Sequence, residues 1–125
     1  MNLLTLLHHF AAIIALFTLI IGIFAAAKPK AMAKNFGVPV PPEAYPFVIA
    51  TGLRDIYIGL GIFVLYFLNL WFAIAITCLC LGLLALGDFV IVRKYGVKKV
   101  SWAHFLGATG AFIYGSFLLV YSSAY

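Results

Sequence analysis

Four long apolar stretches dominate this sequence and restrict how the chain can fold. They lie near residues 3–27, 46–68, 70–92 and 101–122. A helix needs about 20 predominantly apolar residues to cross the hydrocarbon core of a bilayer, and each stretch is long enough. Because a spanning segment must satisfy its own backbone hydrogen bonds, the sequence predicts an all-α integral membrane four-helix bundle. We expect up-down-up-down topology and a single domain over residues 1–125.

The overall composition supports this class. Hydrophobic residues make up 66% of the chain and charged residues 9%, whereas soluble domains average about half apolar and a quarter charged. The net charge of +5 does not indicate a nucleic-acid partner, because nearly all the basic residues fall in short segments between apolar stretches. That distribution is typical of membrane orientation signals. The expected surroundings are therefore the lipid bilayer, in a membrane that this pattern does not identify.

The positions of the basic residues predict the orientation. Those outside the spans follow the first and third stretches: Lys28, Lys30, Lys34, Arg93, Lys94, Lys98 and Lys99. The positive-inside rule then places both basic loops in the cytoplasm and both termini on the other side. Prolines in the first loop exclude a continuous helix there. We expect that loop to be a connector rather than a lid.

Ionisable residues inside the apolar stretches are few, and they are the candidates for chemistry. Arg54 and Asp55 lie in the second stretch, Asp88 in the third and His104 in the fourth. Such residues are costly in a membrane and usually functional. At 1.5 Å per residue, Arg54 and Asp55 lie roughly 12–14 Å from the cytoplasmic end of their span, and Asp88 and His104 roughly 5–6 Å. We therefore expect all four groups to meet in a recess in the cytoplasmic half of the bundle.

Small residues beside these groups predict close helix packing. In the second stretch, three residues share a helical face with Asp55: Thr51, Gly52 and Gly59. In the fourth stretch, a stripe of small residues lies beside His104: Gly107, Ala111 and Gly115. Such spacing marks close contacts between helices in membranes. We expect Asp55 and His104 to face other helices rather than lipid.

The polar set has an inert interpretation and a chemical one. In the inert interpretation, Arg54 pairs with Asp55 or Asp88 and holds the bundle together. However, two carboxylates, a guanidinium and an imidazole exceed what one structural pair requires. Two carboxylates that share an arginine tend to titrate apart, which equips one as an acid and the other as a base.

Depth predicts the individual roles. Asp88 is expected to be the base toward water because it is shallower, and the deeper Asp55 is expected to be the acid. Arg54 would orient the pair, and His104 would relay protons or hold Asp88. Contacts to a lipophilic small-molecule substrate are expected from Thr51 and Tyr57. No cofactor is expected, and the chain has too few ligands at one depth for a zinc or haem site.

Three segments carry a resemblance to a known family: "GLRDIYIGLG", "ALGDFVIVRKYG" and "SWAHFLGATG". They resemble small four-pass membrane proteins of unknown function from fungi and bacteria, over most of the chain. Some fungal relatives look like small membrane hydrolases that are encoded beside polyketide-synthase genes and implicated in epoxide opening. The resemblance implies the same residues for study: Arg54, Asp55, Asp88 and His104. Soluble limonene-type epoxide hydrolases use a similar Asp–Arg–Asp set on another architecture, which is an analogy only.

The sequence thus favours a membrane-embedded acid–base enzyme that opens or cyclises a lipophilic epoxide. One alternative is a small transporter like the multidrug exporters, which have four spans and work as homodimers. Those exporters carry a carboxylate in the first span, and this chain has none there. A second alternative is a non-catalytic membrane subunit.

Overall fold

The computed structural model describes residues 3–123, which form five α-helices, one short 3₁₀ turn and no strand. The helices, with the 3₁₀ turn between α2 and α3, are α1 Leu3–Ala27, α2 Pro29–Phe36, the turn Pro42–Ala44, α3 Tyr45–Phe67, α4 Trp71–Tyr95 and α5 Lys98–Ser122. Four of these helices, α1, α3, α4 and α5, are long and apolar enough to cross a membrane. The predicted all-helical chain with four candidate spans is therefore confirmed.

Helix α2 lies within the first basic loop, where the sequence analysis expected only a connector. It begins at Pro29, a residue that suits the first helical position because the missing N–H is not needed there. It ends before Gly37, whose φ of 101° is in the left-handed region that favours glycine. Ala33 is buried, whereas Lys30 and Lys34 are exposed. The helix is therefore amphipathic, and the prolines that interrupt the loop all lie beyond its end.

The chain divides into two compact units. The first unit contains α1, α2 up to Asn35, and α3, while the second contains Phe36–Val38, α4 and α5. Each unit is built on one pair of long helices, α1 with α3 and α4 with α5.

In the first unit, α1 and α3 run antiparallel and pack closely through glycines. A Cβ atom on Gly52 would lie 2.7 Å from the Gly22 carbonyl oxygen and 2.8 Å from the Ala25 Cβ. Further along, a Cβ atom on Gly59 would lie 2.8 Å from the Ala15 carbonyl oxygen. Only glycine permits this approach of the two backbones, as is common for helix pairs in membranes. The packing predicted around Gly52 and Gly59 is confirmed.

In the second unit, α4 and α5 also run antiparallel. A Cβ atom on Gly115 would lie 3.0 Å from Leu79, and one on Gly82 would lie 3.0 Å from the Phe112 ring. Nothing lies within 4 Å of the corresponding position at Gly107. The predicted stripe of small residues therefore makes a close helix contact at Gly115 but not at Gly107.

Residues Phe36–Val38 are held against the turn between α4 and α5. The Val97 N–H donates a hydrogen bond of 2.8 Å to the Gly37 carbonyl oxygen. A Cβ atom on Gly37 would lie 2.9 Å from Val92, and one on Gly96 would overlap the Gly37 carbonyl oxygen. Two glycines thus let this segment of the first loop cross the α4–α5 turn at backbone contact.

Candidate functional site

Arg54 and Asp55 form an ion pair on α3. The Arg54 Nη2 atom lies 2.9 Å from Asp55 Oδ1, and Arg54 Nε donates a hydrogen bond of 3.0 Å to the same oxygen. Adjacent residues diverge by about 100° around a helix, so only the length of the arginine lets its guanidinium turn back to its neighbour. The side chains are 43% and 16% exposed, respectively. The pair is therefore accessible from one side.

The ion pair lies well inside a candidate membrane span. Asp55 follows Tyr45, the first residue of α3, by ten positions, or roughly 15 Å of helix at 1.5 Å per residue. The span that contains it covers Pro42–Phe67. Two charged groups are thus placed beside the glycine contact between α1 and α3 rather than at the end of the helix.

The two residues predicted to contact substrate lie on the exposed side of α3. Thr51 is exposed, and its hydroxyl donates a hydrogen bond of 2.9 Å to the Phe47 carbonyl oxygen in its own helix. Tyr57 is 73% exposed. The prediction that Thr51 lies on the packed face with Gly52 and Gly59 is wrong, because Thr51 is exposed and lies about 100° around the helix from Gly52. Neither side chain is enclosed by the first unit, so the predicted substrate contacts stay a prediction.

His104 contacts the last residue of α2. Its Nε2 atom lies 2.9 Å from the Phe36 carbonyl oxygen, and the two rings are 4.6 Å apart between centroids, at 58°. The last carbonyls of a helix have no partner within that helix. With hydrogen on Nε2, His104 donates to one of them. The sequence does not predict this contact, because the two residues are separated by 68 positions.

Asp88 is half-buried in α4, and an aromatic cluster forms directly after it. The Phe89 ring lies 6.0 Å from Trp102 and 5.5 Å from Phe105, measured between centroids. The Arg93 guanidinium lies 5.4 Å from the centroid of the Trp102 ring, a distance typical of a cation–π contact. The cluster was not predicted from the sequence, although tryptophan and arginine near the end of a span are typical of the membrane interface.

The predicted site residues are distributed over both units. Arg54 and Asp55 lie together in the first unit, and Asp88 and His104 lie in the second. The predicted recess shared by all four stays a prediction. Among residues 3–123, no group of three or more His, Cys, Asp or Glu side chains is arranged to hold a metal ion.

Comparison with known proteins identifies the family of this chain. The family described as "Domain of unknown function (DUF4267)" matches residues 15–118, a segment that includes Arg54, Asp55, Asp88 and His104. No curated protein and no solved structure matches the chain. Because the family covers most of the sequence, this chain belongs to the DUF4267 family of proteins of unknown function.

Proposed function

We propose that this chain is a membrane-embedded acid–base enzyme that acts on a lipophilic small molecule, with Asp55 as the group that exchanges the proton. The Arg54–Asp55 ion pair inside α3 supports this proposal. Insertion scales assign a cost of about 2.5–3.5 kcal/mol to one charged residue at the centre of a membrane helix. A chain that keeps two such residues together needs a role that offsets this cost.

A purely structural role fits the pair poorly. Both polar contacts of the pair stay within α3, so they do not tie α3 to α1. The contact between those helices is made by glycines instead. In addition, the Arg54 side chain is 43% exposed, which leaves the pair accessible to water or to a molecule dissolved in the bilayer.

The geometry favours a particular chemical role for Asp55. Both Arg54 donors approach Oδ1, which leaves Oδ2 for proton exchange. An ion pair requires the carboxylate form, so in this arrangement Asp55 accepts a proton, which is the half-reaction of a base. The acid role expected from depth would require the carboxyl group to carry a proton before the reaction begins. Arg54 stays charged throughout and holds the carboxylate in place.

Epoxide opening is the reaction class that the resemblance to membrane hydrolases supports. The oxygen of a water molecule attacks a ring carbon while Asp55 takes one proton from that water. The ring C–O bond breaks, and its electron pair stays on the ring oxygen. That oxygen then takes a proton from the carboxyl group. The net reaction adds one water to the epoxide, gives a diol, and returns Asp55 to its carboxylate form.

The test is turnover of lipophilic epoxides by the purified full chain in proteoliposomes, in ¹⁸O-labelled water. We expect a singly labelled diol, and we expect Asp55→Asn to lower turnover by a factor of about 10² to 10⁴, the usual contribution of general acid–base catalysis. Asp88→Asn tests the predicted second carboxylate in the same assay. Thr18→Val is the matched control, because it removes a polar group that only contacts its own helix in α1. Unchanged turnover in both aspartate variants would exclude the enzyme.

The same preparation distinguishes the two alternatives. Proton-driven efflux of a lipophilic cation that is lost in Asp55→Asn, without any chemical product, would assign a transporter. Full complementation of a knockout by a chain in which Arg54, Asp55 and Asp88 are all replaced would assign a non-catalytic subunit.

We also infer that both basic loops face the cytoplasm and both termini face the other side. The last turn of α4 contains Arg93 and Lys94, α5 begins at Lys98, and Lys28 directly follows α1. Basic residues in short loops and close to the ends of spans set the orientation of a membrane protein.

A further inference from the structure

A cleft lined by three lysines lies where α1 ends. It has a volume of about 830 Å³ and is formed by the start of α2 and the loop that leads to α3. Lys28, Lys30 and Lys34 line it, and all three are exposed. Every residue of the lining belongs to the first unit. The cleft is distinct from the Arg54–Asp55 pair and takes no part in the proposed reaction.

The charges of this cleft are not balanced by the protein. Lys30 and Lys34 are four residues apart on α2 and so share one helical face. Among residues 3–123, none of the three lysines makes an ion pair. Glu43, the acid nearest in sequence, does not line the cleft. Three ammonium groups around one concave surface repel one another, and a bound anion would relieve that repulsion.

The remaining lining is apolar and lies next to the membrane span. Pro39, Val40 and Tyr45 contribute to the wall. Lys28 directly follows Ala27, where the first candidate span ends. The cleft therefore joins a cationic rim to an apolar wall at the boundary between the hydrocarbon core and the headgroups. A free phosphate ion would use only the rim, whereas a phospholipid has a phosphate for the lysines and glycerol and acyl carbons for the wall.

We propose that this cleft binds the headgroup of an anionic phospholipid. The lysine ammonium groups contact the phosphate as point charges, and the acyl chains remain in the bilayer beside α1. Basic pockets at the membrane surface commonly select anionic lipids in this way. The lipid would fix the depth of α2 at the interface.

The test measures lipid binding to the purified full chain by native mass spectrometry, with phosphatidylglycerol and phosphatidylcholine as probes. The variant Lys28→Gln/Lys30→Gln/Lys34→Gln removes the cleft charges. The variant Lys94→Gln/Lys98→Gln/Lys99→Gln removes three charges from the other basic loop and is the matched control. At about fivefold per lysine, we expect phosphatidylglycerol affinity to fall about 100-fold in the first variant and only a few fold in the control. Circular dichroism verifies that both keep their helices.

Three results would overturn the proposal. Equal losses in the two triple variants would mean that the lipid responds to net charge and not to the cleft. Equal binding of phosphatidylcholine and phosphatidylglycerol would mean that the lysines do not select an anion. Equally tight binding of water-soluble glycerol phosphate would mean that the occupant is a free phosphate compound.

Discussion

Single glycines determine how closely the helices of each unit approach. Helical periodicity predicted the packed face of α3 at Gly52 and Gly59, and both are buried. It did not predict which other glycines make no close contact with another helix. Nothing lies within 4 Å of a Cβ atom built on Gly61, Gly87, Gly107 or Gly110. Periodicity gives the side of a helix on which a residue lies, but it does not give the position of the partner helix.

We expect Gly52→Ala to destabilise the first unit, whereas Gly61→Ala does not. Both glycines lie in α3, so alanine gives the same gain of about 1 kcal/mol in helix propensity at each. At Gly52 the new methyl group would meet backbone atoms of α1 at 2.7–2.8 Å, and separating the helices should cost about 1–3 kcal/mol. Thermal unfolding in detergent micelles, followed by circular dichroism, measures the difference. Equal melting temperatures for the two variants would contradict the glycine contact.

The pairing of Arg54 with Asp55 could be predicted only in part. Their adjacency on a helix indicated side chains about 100° apart, and arginine's reach was the one way to bring them together. The structure uses that reach, with both donors on Oδ1. The sequence left Asp55 and Asp88 open as partners of Arg54, and the structure shows an ion pair with Asp55.

Among the secondary-structure elements, the long helices were predictable and the short one was not. The predicted stretches 46–68 and 70–92 correspond to Tyr45–Phe67 and Trp71–Tyr95, because the length and hydropathy of an apolar stretch are enough to predict a span. Helix α2, Pro29–Phe36, has neither property. Its signals were a proline at the first position and a glycine after the last. These two signals predict a helix only together with the lysines between them, which form one face of an amphipathic helix.

His104 offers a test that separates a structural contact with Phe36 from proton transfer. His104→Gln keeps an N–H donor for the Phe36 carbonyl but cannot titrate, whereas His104→Phe keeps a ring and loses the donor. We expect His104→Phe to lose about 1 kcal/mol, the net value of a typical hydrogen bond, and His104→Gln to lose less. Hydrogen exchange at Gly37 and Val38 and the melting temperature measure this effect.

The turnover assay completes the comparison at His104. If the histidine only contacts Phe36, His104→Gln keeps full turnover of the epoxide. If it relays protons, which is one of the two roles predicted from the sequence, His104→Gln loses turnover while its melting temperature stays near the wild-type value. Equal stability of His104→Gln and His104→Phe would contradict the described hydrogen bond to Phe36.

At the scale of the whole molecule, composition predicted the class of protein. Contacts between residues that are far apart in the sequence could not be predicted. Four apolar stretches suffice to predict four candidate spans, because lipid excludes unpaired backbone groups. The attachment of Gly37 to Val97 and of Phe36 to His104 joins segments that are far apart in the chain. No local pattern marks such a contact, since each residue also suits an ordinary loop or helix.

The crossing of the membrane by α3 can be tested together with the orientation. Glu43 and Asn69 are both exposed and lie before and after α3. We place a single cysteine at each position in a background with Cys78→Ala and Cys80→Ala, and label it with a membrane-impermeant maleimide. In intact cells we expect Asn69→Cys to react and Glu43→Cys to react only after permeabilisation, because basic loops stay in the cytoplasm. Detergent-solubilised protein, in which both must react, is the control.

The two possible failures of this experiment have different meanings. Reaction of both cysteines in intact cells would mean that α3 does not cross the bilayer. The Arg54–Asp55 pair would then lie at a surface, and the free-energy cost of placing charged residues in a membrane would no longer support the enzyme proposal. The reverse labelling pattern would keep the crossing and invert the orientation. The pair would then still lie inside a span, but the lysine cleft after α1 would face the leaflet that is poorer in anionic lipids. The enzyme proposal therefore requires that α3 crosses the membrane, in either orientation. Occupancy of the cleft in cells requires in addition that the basic loops face the cytoplasm.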